Sequence, residues 1–448
     1  MDVAGRRNSV MRASRFMAPL LLLVLAGCGG CAGSPPSDSP GIGPNPSLPP
    51  PEKQLLPTVN IAPAKGWPAG QTPLAGEGMR VTAFAEGLDH PRWLHVLPNG
   101  DVLVAETNAP PRPEDEKGFK GWMAKLIMKR AGAVTTSANR ITLLRDTDND
   151  GRADQRNVFI ANLNSPFGMA LIGNDFYVAN TDAILRFPYV NGQTEISEAG
   201  TRLADLPGGA LNHHWTKGLV ASLDGKHLYA SVGSNSNIAE NGMDQEIGRA
   251  AIWEVDTASG ATRVYASGLR NPVGMAWEPK SRVLWTVVNE RDELGNELVP
   301  DYLTSVRENA FYGWPYSYYG QHVDTRVQPQ QPEWVAKSLA PDYAIGSHVA
   351  PLGLASSAGN RLPARFADGM FIGEHGSWNR KPLSGYEVVF VPFNNGQPEG
   401  TPLKVLTGFV DADGKAMGRP VGVAVDARGA LLVADDVGNA VWRVTAAP

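Results

Sequence analysis

The chain of 448 residues holds only two cysteines, Cys28 and Cys31, both near its start. Everything beyond them therefore has neither disulfides nor thiol chemistry. An excess of positive charge is missing too: 40 Lys and Arg against 45 Asp and Glu leave a formal charge of −5. That argues against a nucleic-acid partner, which wants a basic face. Removing residues 1–27, with Arg6, Arg7, Arg12 and Arg15 against Asp2, would lower the charge by three more, to −8. The balance argues equally against a polybasic membrane patch. The apolar run MAPLLLLVLAG at 17–27 is about half the ~20 residues that cross a bilayer.

That run follows a basic stretch ending at Arg15, the arrangement of a signal peptide, and it closes in LAGC at 25–28, which resembles a bacterial lipobox. The expectation is a signal peptide over 1–27 and a lipid on Cys28, which leaves Cys31 without a partner. Gly29, rather than Asp, follows the lipidated position, which points to a protein anchored by lipid on the periplasmic side, at the outer membrane. Twelve of the 36 prolines fall within 29–75. Their density predicts a semi-extended tether over 28–75, with the globular domain at 76–448.

Within that domain one sentence recurs: a Pro-x-Gly-type phrase, a Gly-bearing turn, a short apolar strand, then a polar turn. It reads HPRWLHVLPNGDVLVAET at 90–107, SPFGMALIGNDFYVANTDAILRF at 165–187, NPVGMAWEPKSRVLWTVVNE at 271–290 and RPVGVAVDARGALLVADDVGNAVWRV at 419–444. Looser copies are KGLVASLDGKHLYASVG at 217–233 and APLGLASSAGNRLPARFADGMFIGEHG at 350–376. Six copies of a sheet-forming unit predict an all-β fold, a six-bladed β-propeller whose channel collects one loop from every blade. Roughly 60 residues per blade exceed the ~40–45 of a compact repeat, so long inter-strand loops are expected, at 108–140, 234–250, 291–347 and 376–417.

Three polar clusters stand out. LNHHWTKGL (211–219) holds His213 and His214; strand alternation lets one of them face a pocket, where an imidazole suits a general base. A backbone-bonded loop pair is the plain alternative. GLRNPVG (268–274) sets Arg270 and Asn271 before a proline, offering planar donors to a carboxylate or developing oxyanion, or else an inter-blade salt bridge. NERDELG (289–295) places four charges after the strand VLWTVV. Oxygens there suit a hard cation such as Ca²⁺, and a solvated turn has the same composition.

Taken in order, His214 with TKGL, then RNPVG, NERDELG and FYGWP (311–315) resemble the quinoprotein sugar dehydrogenases of the soluble glucose dehydrogenase and sorbosone dehydrogenase group. NERDELGNELVPDYLT (289–304) and FIGEHGSWNR (371–380) look most like the sorbosone branch. The resemblance covers about residues 79–448. It implies pyrroloquinoline quinone (PQQ) and Ca²⁺ in the central channel and oxidation of a sugar or a sugar-derived hydroxyl or aldehyde, with a quinone or cytochrome taking the electrons. By the same resemblance His214 is the general base. Arg270 and Asn271 contact the quinone, Arg270 near its reactive carbonyl, and backbone oxygens of Glu290, Arg291 and Asp292 hold the calcium. Arg92, Lys217, Arg380 and Arg419 fall where the tricarboxylate cofactor would be bound, His348 is a further contact, and Ser377, Trp378 and Asn379 shape the mouth. Two departures bear on the substrate: ERD stands where the glucose branch has Gly-Pro, and His213 replaces an acidic residue beside the base.

Other readings remain. A calcium-dependent propeller lactonase would need carboxylates and Asn around its metal and little positive charge, and a propeller lipoprotein could have lost its chemistry. RDTDNDGRAD (145–154) spaces its aspartates like the start of an EF-hand loop, but Asn157 stands where the closing Glu belongs, so a second calcium or an ordinary hairpin turn would both fit. GFKGWMAKLIMKRAG (118–132) reads as a basic amphipathic helix, for packing on a blade or leaning on a membrane.

Overall fold

The computed structural model describes residues 41–52, 58–111, 132 and 135–448. The signal peptide, Cys28, Cys31 and nearly all of the 118–132 segment lie outside these residues. Six antiparallel four-stranded sheets form the blades of a propeller, over 91–160, 169–205, 219–267, 271–347, 351–407 and 420–446. The first strand of each blade touches the first strand of the next, and the sixth touches the first. Closure uses the start of the domain: Met79–Glu86 is the outer strand of blade six, pairing Ala446 with Met79 and Ala440 with Glu86.

The recurring phrase has a steric cause. Blades two, four, five and six carry Pro-x-Gly at or just before the first strand, blade three has Lys217-Gly218 in its place, and each of these glycines sits where neighbouring blades meet backbone to backbone. A Cβ on Gly218 would lie 2.3 Å from Val273 O, one on Gly353 2.2 Å from Val421 O, and one on Gly422 2.8 Å from Arg92 O. Only glycine allows that approach. The proline cannot donate to the ladder, and the register slips beside it in blades one, four, five and six. Around the axis Trp93, Phe167, Trp215, Val273, Leu352 and Val421, one from each blade or its leading turn, join a single buried cluster. The channel is therefore filled with apolar side chains, and a ligand site must lie at its polar end.

The proline-rich segment differs from the expected tether in its described parts. Ile42–Gly43 pairs with Ile345 and Ala344 at the edge of blade four, and Leu74–Ala75 with Thr407 and Leu406 at the edge of blade five. Between them Ala62 is 1% exposed and the Trp67 indole donates to Asp435 at 2.7 Å. An extended chain needs little apolar surface of its own when an edge strand supplies its hydrogen bonds. No helix among the described residues is long and apolar enough to cross a membrane.

Candidate functional site

Blades three to five open onto a cavity of about 390 Å³ lined by His214, Arg270, Asn271, Glu290, Asp292 and His348, within the size range of small-molecule sites. Trp378 and Asn379 line it as well, whereas Ser377 is 1% exposed and accepts the Ser384 amide. His213 also lines it. Alternation gives no guidance on the two histidines, because they lie in a bend ahead of the strand Leu219–Ala221.

The His214 Nδ1 stands 2.7 Å from the Ser234 carbonyl and 3.1 Å from its hydroxyl. A carbonyl only accepts, so Nδ1 carries the hydrogen and Nε2 is the basic nitrogen. Gly233 makes room for the pair of site residues: a Cβ there would lie 2.4 Å from both His214 Cβ and Asn271 Oδ1.

Arg270 ties two loops together, donating from Nη1 to Glu290 O at 2.7 Å, from Nη2 to Asp292 Oδ2 at 3.0 Å and from Nε to Asn237 O at 3.3 Å. Asp292 also accepts from Asn379 at 2.7 Å and lies 3.6 Å from His348 Nδ1. Burial alone would raise the Asp292 carboxyl, but Arg270, with His348 and Asn379, holds it down at about 2. Burial opposes charge on His348, yet Asp292 and Asp301 raise its pKa above the usual imidazole value. Burial pushes Asp301 up to about 7 despite His348 and the amides of Glu290 and Ala350 that it accepts.

The metal expectation changes in detail. Glu290 O already receives Arg270, and Asp292 O receives Asn237 at 3.2 Å and Arg326 at 3.0 Å. The Arg291 side chain is wholly buried away from the cavity, on Glu290, Asp324 and the carbonyls of Pro315 and Ser317. Side-chain oxygens are open instead: Asn271 Oδ1, Glu290 Oε1 and Asn379 Oδ1 are buried without a hydrogen-bond partner, and all three residues line the cavity. Buried acceptors in that state suit a hard cation.

The expected ring of cations does not line this cavity. Arg92 is bound to Asp436 at 2.6 Å; Lys217 is 0% exposed, its ammonium 3.3 Å from Trp215 O. Burial pushes that lysine's pKa well down. Arg380 pairs with Glu297 at 2.6 Å, and Arg419 donates to Ala62 O at 2.9 Å. The cavity wall instead carries one guanidinium and three imidazoles against five carboxylates, Glu240, Glu290, Asp292, Glu293 and Asp301. A tricarboxylate fits such a wall only together with a divalent cation, which the open oxygens could hold. On those terms the residues fit PQQ and Ca²⁺ as a pair.

Sequence reasoning missed Asn237, Glu240 and Asp301 in this wall. It also missed a buried group beside Arg92, in which Asp436 meets His375 at 2.9 Å and His90 at 3.6 Å. The acids of LVADD (432–436) after an apolar strand repeat the arrangement of NERD, a signal that could have found them.

Among proteins of known sequence, an uncharacterized protein of Borreliella burgdorferi is 26% identical over 294 residues, 63% of this chain and 76% of that protein. A pyrroloquinoline quinone-dependent pyranose dehydrogenase of Coprinopsis cinerea is 24% identical over 367 residues, 70% of this chain and 44% of that enzyme. The chain thus spans less than half of that relative's length. The holo form of the pyranose dehydrogenase PQQ domain from Coprinopsis cinerea superimposes with a TM-score of 0.67 at 21% identity, over 85% of this chain and 98% of that one. The PQQ-bound aldose sugar dehydrogenase of Streptomyces coelicolor gives 0.54 at 15% identity, over 84% and 99%. At these identities the structural likeness establishes the propeller. A TrAA12-like profile matches residues 314–447, and the profile described as "Domain of unknown function (DUF7133)" matches 77–377. That match spans well over half of the sequence, and the chain belongs to the DUF7133 family.

Proposed function

We propose that the protein is a PQQ- and Ca²⁺-dependent dehydrogenase of a sugar or a sugar-derived hydroxyl or hydrated aldehyde, of sorbosone or aldose type. One observation carries the reading: His214, Arg270 and Asn271 face a single cavity in a propeller similar to PQQ-dependent sugar dehydrogenases. When bound, the quinone would supply the two-electron acceptor and Ca²⁺ the Lewis acid. Glu290, Asn271 and Asn379 would hold the cation through their open oxygens, and Arg270 would meet the anionic or carbonyl oxygens of the cofactor. His214 Nε2 would take the proton of the substrate hydroxyl. Its Nδ1–H bond to Ser234 O keeps that tautomer. Asp292 fixes Arg270, so the guanidinium keeps its place between turnovers. The electrons would pass to a quinone or cytochrome, and the lipid anchor at Cys28 would hold the enzyme on the periplasmic side of the membrane.

A second reading has its own support. Five carboxylates, four Asn and one Arg around a cavity are the wall a calcium-dependent lactonase would need. The full chain, incubated with PQQ and Ca²⁺, should be screened against aldoses, sorbosone and polyols with a redox dye, and in parallel against lactones with Ca²⁺ alone. Dye reduction that needs both additions is the expected result. Lactone hydrolysis without dye reduction would replace the first reading by the second.

A further inference from the structure

The turn between the third and fourth strands of blade one, Arg140–Arg145 and Gln155–Ile160, reads DTDNDGRAD over 146–154. Asp146, Asp148 and Asp154 each present a carboxylate oxygen within 4.8 Å of the others. Two oxygens on opposite sides of a calcium ion, each about 2.4 Å from it, lie about that far apart. A separate feature points to a missing ligand. The Asp146 side chain is 4% exposed, and its Oδ2 takes Arg428 and the Gly151 amide, yet its Oδ1 is buried with no hydrogen-bond partner.

The guanidiniums around the hairpin do not balance the cluster: Arg152, within it, is paired with Glu86 at 3.5 Å. Arg428 is engaged by Asp146 Oδ2 and Asn149 O, and Arg443, which approaches Gly151, is paired with Asp426 at 2.9 Å. The ligands are all oxygens, with no imidazole or thiolate among them, which selects a hard ion. The exposed Asp148 and Asp154 leave room for waters in an irregular shell, which favours Ca²⁺ over Mg²⁺.

The missing twelfth-position Glu of a helical calcium loop is explained by the hairpin. That position is Asn157, already inside a strand and paired with Leu143. Asp154 stands just before the strand, where the returning chain brings its carboxylate back over the aspartates that begin the loop.

The place in the ring suggests the purpose. The Ala153 amide donates to Phe84 O at 2.8 Å, and Arg428 belongs to a turn of blade six. Both contacts cross the seam where the last blade closes on the first. We propose that the 146–154 hairpin binds one Ca²⁺ that clamps this seam, independently of the central cavity and of the proposed function.

The test uses the full chain, as wild type, as Asp148→Asn/Asp154→Asn, and as Asp292→Asn for the cavity. Equilibrium dialysis with ⁴⁵Ca²⁺ gives ions bound per chain, and thermal melts are run in chelator and in millimolar Ca²⁺. The hairpin double variant should bind one ion fewer than wild type, while Asp292→Asn keeps the hairpin ion. In chelator the double variant should melt no lower than wild type, since two clustered charges are gone; in Ca²⁺ wild type should gain a few degrees over it. Excess Mg²⁺ should not restore that gain. If the double variant misfolds, Asp148→Asn alone decides: its exposed carboxylate bonds only the Asp150 amide, so the chain should fold with a hairpin Kd raised about tenfold or more. An unchanged ion count, or an unchanged Kd in the single variant, overturns the proposal whatever the protein does to sugars.

Discussion

Replacing His214 with Gln removes the basic nitrogen and keeps a hydrogen-bonding side chain of similar reach. General base catalysis contributes about 10²–10⁴-fold, or ~3–5 kcal/mol of barrier, so kcat for dye reduction should fall by that factor. PQQ affinity should hardly move, because the 2.7 Å bond to Ser234 O orients the ring from behind, on the side away from its basic nitrogen. His213→Gln is a stringent control, since both imidazoles line the same cavity. It should cost less than about tenfold in kcat, as it leaves the oriented base in place. Ser234→Ala removes the hydroxyl at 3.1 Å but not the carbonyl, so its effect should also be small. The assay is dye reduction at saturating sugar on protein loaded with PQQ and Ca²⁺, with PQQ affinity from calorimetry on the same samples. If His213→Gln loses more activity than His214→Gln, the base is His213. If His214→Gln loses PQQ affinity and little kcat, the imidazole is a cofactor contact and the proton-transfer argument fails.

Three further outcomes test other links of the chain. Gly353→Ala should destabilise by about 3 kcal/mol in urea titration, since its Cβ would lie 2.2 Å from Val421 O; Gly359→Ala, left-handed at φ +78 with nothing within 4 Å, should cost about 1 kcal/mol, and equal losses would refute the blade-contact account. Burial pushes His95 down to about 4 from 6.5, so the unfolded chain takes up a proton first and stability should fall by about 2–3 kcal/mol as pH drops from 6.5 towards 4; the gap in Tm between His95→Gln and wild type should narrow over that window, and a constant gap would sink the assignment. Cys28→Ser should move the protein from the membrane to the soluble fraction on cell fractionation, and a variant that stays with the membrane would call for another attachment.

The propeller was legible because its repeat has a local steric cause. Each Pro-x-Gly marks a strand start and a backbone contact, and both constraints are met within a few residues. The site was legible in part: His214, Arg270, Asn271, Asp292 and His348 face one cavity. What pairs with what was not legible, because those contacts link distant residues. Asn237 reaches Asp292 across 55 positions, and Asn379 reaches it across 87. The N-terminal segment hid its order for the same reason, since the composition of 29–75 says nothing of the open strand edges at Ile345 and Leu406.

The failure of the expected cation ring follows from the topology. In blades one, four, five and six the start of the first strand lies beside the end of the second: Pro91 beside Glu106, Asn271 beside Asn289, Pro351 beside Glu374, Pro420 beside Asp435. These four repeats therefore deliver the head of the first strand and the polar tail of the second to the same end of the channel, where a cation can meet an acid. Arg92 meets Asp436 of blade six across the closing seam, and Arg270 meets Asp292, just past the end of its own blade's second strand. Counting basic residues at strand starts overstates the positive charge available to a ligand, since the acids at the neighbouring strand ends must be counted with them. On that count the cavity is acidic, and an anionic cofactor there depends on its metal. Chelation should therefore weaken PQQ binding in calorimetry more than loss of any single arginine does, and PQQ binding that ignores EDTA would show that the cavity's carboxylates are not what the cofactor meets.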